Sequence, residues 1–129
     1  VGLRRDDLAG FIGLAGPYDF VVGGYAPVFG PRAQWPRAMV QNALDAGAPP
    51  LLLVHGERDD VVAPRNSTRL AATARAAGVS AELVLLPEGT HTAPVQAFYD
   101  PARAPAVLPA VLAFVGAPAA APPAPQTGR

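Results

Sequence analysis

Residues 51–64, LLLVHGERDDVVAP, constrain the fold of this chain more than any other stretch. Four consecutive apolar residues, Leu51, Leu52, Leu53 and Val54, follow Pro49-Pro50 and run into His55-Gly56, the pattern of a strand buried on both faces of a parallel sheet. Asp59 comes three residues after Gly56, past the carboxyl end of that strand, where open α/β sheets gather their ligands and chemistry. A second strand-like run, 81–86, leads into LPEGTH and His91. Between the two runs, Leu70, Ala71, Ala74 and Ala77 recur at helical spacing, with Pro64 suited to the first turn and Gly78 to the stop. Strand, helix, strand in that order implies a right-handed parallel crossover. Two neighbouring strands then deliver one carboxylate and one imidazole to the same rim.

Around that unit the chain reads as α/β. Residues 1–9, with Arg4, Arg5, Asp6 and Asp7, form a solvated lead-in, and 11–15 is a third short strand closed by the Gly16-Pro17 turn. The glycines and prolines of 21–31 argue for a loop, one placed to cover a site. Gly23-Gly24 lacks the strand-loop-helix surroundings of a phosphate cradle. Residues 37–46 are helix-compatible, with Ala38, Met39 and Leu44 apolar and Trp35 packing near the start. A helix is expected to begin within 92–98 and another over 105–115, where Pro109 is tolerable only in the first turn. The expected organisation is one domain over 1–116 and a disordered Ala/Pro-rich tail over 117–129.

Composition removes several function classes. At 129 residues, half of them apolar, the chain fits one domain with a core. Ten basic residues, all Arg, cancel ten acidic ones, so charge gives no argument for nucleic acid or a membrane surface. The absence of Cys excludes disulfides, thiolate metal sites and a Cys nucleophile, and two imidazoles, His55 and His91, are too few for a multi-His zinc site. Neither a metal nor a cofactor is expected. No apolar run approaches the roughly 18 residues of a membrane span. The chain opens at Val1 without an initiator Met, which reads as a missing N-terminus and leaves the compartment open beyond a cytoplasmic default. Oligomeric state is left open as well.

HGERDDVVAP resembles the HGxxDxxV segment that bears the catalytic acid in α/β-hydrolases, and PEGTH resembles the turn that bears their catalytic His. GFIGLAGPYDF, ahead of both, is similar to the strand preceding the acid in the esterase/lipase branch, including feruloyl-esterase-like and kynurenine-formamidase-like members. The resemblance runs from about Leu8 to Val115 and corresponds to the C-terminal half of that fold, three parallel strands with flanking helices. Ala63 stands where the family often has a first Pro.

The resemblance implies a Ser-His-acid hydrolase in which Asp59 orients the imidazole and His91 acts as general acid and base, a task suited to a group with an ordinary pKa near 6.5. The nucleophile is expected upstream in a GxSxG elbow and the oxyanion donors in an HGGG-like turn. Neither motif is present, and the only serines, Ser67 and Ser80, do not lie on a strand-to-helix elbow. Asp60 competes with Asp59 for the acid role and is otherwise expected to face solvent or cap the next helix; His55 is expected to pack or bond locally. Asn66-Ser67-Thr68 matches a glycosylation sequon by chance. Two functions follow: a C-terminal portion of a serine ester hydrolase, inactive alone and acting on a small-molecule ester, amide or formamide once complete, or a non-catalytic interaction domain descended from one.

Overall fold

The apolar run of residues 51–54 becomes the middle of a three-stranded parallel sheet. In the computed structural model, which describes residues 7–19 and 26–117, the strands are β1 (Phe11–Leu14), β2 (Leu51–Gly56) and β3 (Ala81–Leu86), in the order β1-β2-β3. Every residue of β2 is buried, because β2 is paired on both sides and covered on both faces. The chain is therefore α/β, as its pattern indicates.

Strand periodicity sorts the core into two layers. Leu52 and Val54 face one way, against Leu86, Ala97 and Val107, with Phe114 packed alongside. Leu51 and Leu53 face the other way, against Leu70, Ala71 and Ala74 of helix α2 (Arg65–Ala76). Leu52, Leu53 and Val54 are wholly shielded from solvent, each a gain of about 1.5–3 kcal/mol over exposure. Pro64 sits at the α2 N-cap, and the helix ends at Ala77 with Gly78 left-handed (φ +81°) and the Val79 N–H bonding the Ala74 carbonyl at 2.9 Å. The covering layer on the other face comes from α3 (Ala93–Gln96) and α4 (Val107–Gly116). Pro109 is the third residue of α4, so its missing N–H falls among donors that have no partner within the helix.

Two expectations fail. Residues 37–46 do not form an α-helix; 37–43 fall in two 3₁₀ segments, Arg32–Ala38 and Val40–Ala43, separated by Met39 in extended conformation (φ −85°, ψ 113°), and Leu44 is extended. Pro36 supplies no donor, the Asn42 amide bonds the Pro36 carbonyl at 2.8 Å, and Asp45 Oδ1 accepts from the Gly47 N–H at 2.9 Å, so side chains take the bonds a helix would need. Trp35 does pack there, with its Nε1–H on the Gly30 carbonyl at 3.0 Å and the Arg32 guanidinium over its ring. The expected loop over 21–31 contains a helical turn, α1 (Ala26–Phe29), closed by Gly30 at φ +68°; its first part, 21–25, lies outside the described residues, as do Val1 to Asp6 and all of the expected tail but Ala117. Among the described residues no helix is long and apolar enough to cross a membrane.

Candidate functional site

Register is what brings the two chemical landmarks together. In the β2–β3 ladder Gly56 stands opposite Leu86, so both strands end at one level and their loops leave from one rim. The loops then lock: the Glu57 N–H bonds the Leu86 carbonyl and the Arg58 N–H the Gly89 carbonyl, each at 2.9 Å. This contact needs glycine, since a Cβ on Gly56 would fall on the Gly89 carbonyl. Asp59 and His91 emerge from the two loops facing each other, with His91 Nδ1 2.8 Å from Asp59 Oδ2.

Asp59 is a buried carboxylate with every oxygen engaged. Its Oδ1 accepts from the Val61 and Val62 N–H groups at 2.9 and 2.8 Å, an Asx-type turn that the sequence Asp-Asp-Val-Val closes locally. Its Oδ2 accepts from His91 and also lies 3.1 Å from His55 Nε2. Burial pushes the Asp59 carboxyl up, but the Val62 N–H, the His91 hydrogen bond, the Val61 N–H and the charge available on His91 together outweigh it and hold the group below the usual carboxylate range. His91 is 36% exposed on its side chain, and with Nδ1 committed to Asp59 its Nε2 is the nitrogen left for a reacting group. Asp60 is exposed, and helix α2 has no side-chain cap.

His55 is more engaged than a locally packed strand end. It is fully buried, on the same face of β2 as Leu51 and Leu53, with Nδ1 2.7 Å from Ser67 Oγ and Nε2 2.8 Å from the Val62 carbonyl. Ser67 belongs to the α2 stripe formed by Leu70, Ala71 and Ala74 and is likewise fully buried. Ser67, His55 and Asp59 thus mimic a serine-histidine-acid set, yet no substrate carbonyl can reach a hydroxyl with zero exposure. The sequence carried a signal for this pair: a histidine in step with the inward residues of β2 and a serine in step with the inward residues of α2. Next to them Asn66 Oδ1 accepts from the Tyr18 and Asp19 N–H groups, at 3.0 and 2.8 Å, and ties the segment after β1 to the same helix end.

A cleft of about 520 Å³ lies at the opposite, amino ends of the strands, against Gly10, Pro50 and Ser80. The described residues contain no group of three or more His, Asp or Glu side chains able to hold a metal.

Comparison with known proteins gives the family. The model of the prolyl oligopeptidase family matches residues 32–118, well over half of the chain and the part that contains both Asp59 and His91. The chain belongs to the prolyl oligopeptidase family. No curated protein matches it. Among solved structures, this member of the family is similar to an acetyl ester-xyloside bifunctional hydrolase from Caldicellulosiruptor lactoaceticus, with a TM-score of 0.53 and 23% identity over 67% of this chain and 31% of that one. It is also similar to a truncated form of a carbohydrate esterase from gut microbiota, with a TM-score of 0.50 and 23% identity over 64% of this chain and 29% of the other. At that identity the likeness speaks to fold alone; together with the family match it is that of an α/β-hydrolase. The chain spans under a third of the length of either structure.

Proposed function

We propose that this member of the prolyl oligopeptidase family supplies the acid and the imidazole of a serine-histidine-aspartate triad, and that the nucleophilic serine and the oxyanion donors come from upstream of residue 1. The observation that carries the reading is the 2.8 Å bond between His91 Nδ1 and Asp59 Oδ2, which leaves Nε2 on a half-exposed ring. In that geometry Nε2 takes the proton of a serine hydroxyl as its oxygen attacks a substrate carbonyl, and returns it to the leaving alcohol or amine. Asp59 stays ionised, holds the ring in the tautomer with hydrogen on Nδ1 and stabilises the imidazolium that forms. The substrate class is a small-molecule ester, supported by two similar structures named as an acetyl ester-xyloside bifunctional hydrolase and a carbohydrate esterase, with an amide as the second substrate to assay because the family is named for a peptidase.

The test uses the longer reading frame that contains this chain, assayed with an aryl ester and an aryl amide. The expected result is turnover that His91→Ala abolishes and Asp59→Asn lowers on the order of 10³–10⁴-fold. Turnover that survives His91→Ala, or a longer protein with no turnover of either substrate, rejects the reading and leaves a non-catalytic interaction domain.

A further inference from the structure

We propose that His55 is a positioning residue for Asp59, held in place by Ser67, so that the triad acid is aimed by a second, buried imidazole. This inference rests on the hydrolase reading for its consequence in catalysis, but its geometry stands by itself. The Val62 carbonyl can only accept, so the hydrogen-bond network assigns a proton to His55 Nε2. In the neutral ring Nδ1 is then the acceptor, and the Ser67 hydroxyl donates to it at 2.7 Å. The donor side of the ring works on the acid in two ways. It stands 3.1 Å from Asp59 Oδ2, the same oxygen that receives His91. It also clamps Val62, whose own N–H bonds Asp59 Oδ1 at 2.8 Å, so one peptide unit is held at its carbonyl by His55 while its residue's amide holds the carboxylate.

Shielding makes this arrangement matter. His55, Ser67 and the Asp59 side chain all have zero exposure, so water cannot replace any of these partners and a lost donor leaves a buried polar group unmade. Two elements are thereby coupled to the acid. Ser67 rides on the first turn of α2 and His55 on the end of β2, and the turn carrying Asp59 is strung between them. A hydrophobic residue at position 55 would lie beside the apolar seam of Leu53, Leu70 and Ala71 but would offer no donor. It would leave the Val62 carbonyl and Asp59 Oδ2 each one partner short.

The experiment reads the ring directly. With only two imidazoles in the chain, long-range ¹⁵N–¹H spectra resolve both. The wild-type chain is expected to show His55 with hydrogen on Nε2 and a bare, hydrogen-bonded Nδ1, and a sharp His91 Nδ1 proton. Ser67→Ala, which deletes one hydroxyl, is expected to shift and broaden that His91 proton; His55→Phe is expected to abolish it; His55→Gln, whose amide can still donate to Val62, is expected to restore it. A proton on His55 Nδ1 alone, or a His91 resonance unmoved by Ser67→Ala, overturns the proposal, and the Ser67→Ala outcome decides the matter even when the Phe variant does not fold. In the longer protein the same series is expected to lower kcat about 10–100-fold for His55→Phe with KM changed less than about twofold, and to recover it with His55→Gln. A loss confined to KM, or an equal loss with Phe and Gln, also overturns it. The spectra need no turnover, so a silent longer protein counts against the hydrolase reading and not against this one.

Discussion

Asp59 concentrates the physics of the molecule in one side chain. A carboxylate with a shielded side chain is tolerated because two backbone N–H groups and His91 bond it while His55 stands close by, and the same partners that hold it ionised make its protonation costly. Its folded-state pKa lies below the unfolded value of about 3.9, so its contribution to stability is fully present above that value and is lost as pH falls through the folded one. Denaturant unfolding followed from pH 6 to pH 2 is therefore expected to lose stability at the acid end, and Asp59→Asn is expected to remove part of that slope while lowering stability at neutral pH. An unchanged acid limb in the variant would mean that other carboxylates carry it. The approach of Asp59 and His91 to each other was legible in the sequence, because each follows an apolar run by a short turn. Ser67 and His55 were not paired from sequence, because which strand residue meets which helix residue depends on a register that only the folded sheet supplies.

β2, α2 and β3 behave as one unit whose two loops touch at glycine. Replacing Gly56 by Ala places a methyl on the Gly89 carbonyl, and with backbone rather than a flexible side chain in the way the loops must part. The expected outcome is a stability loss of about 1–3 kcal/mol, the size of an overpacked core position, together with weakening of the His91–Asp59 bond seen as broadening of the His91 Nδ1 proton. Leu53→Ala, which empties a wholly shielded position between β2 and α2, is expected to cost about 2–5 kcal/mol in denaturant unfolding and to leave that proton sharp. The contrast separates damage to the rim from damage to the core. These three elements were readable from period and punctuation: four apolar residues in a row, a 3-4 stripe, and Pro64 and Gly78 at the helix ends. Residues 32–46 were not, because Ala38, Met39 and Leu44 favour a helix by propensity while Pro36, Asn42 and Asp45 divert the backbone bonds that a helix requires.

For the molecule as a whole, the sheet order leaves β1 and β3 each with one partner among the described strands. Phe11 and Ala15 donate their N–H groups toward β2, to the Pro50 and Val54 carbonyls, so the alternate amides of Ile12 and Leu14 point to the outer edge of β1. Hydrogen exchange at Ile12 and Leu14 is expected to be fast in the chain alone and, on the proposal that upstream residues complete the domain, slow in a longer protein whose added strand would pair with that edge. Equal protection in both would remove β1 as the junction. The triad proposal is tested at its root by labelling the longer protein with a fluorophosphonate and mapping the adduct by mass spectrometry. The account predicts a single modified serine upstream of residue 1, with labelling abolished by His91→Ala. An adduct on Ser67 or Ser80, or labelling indifferent to His91, would contradict it.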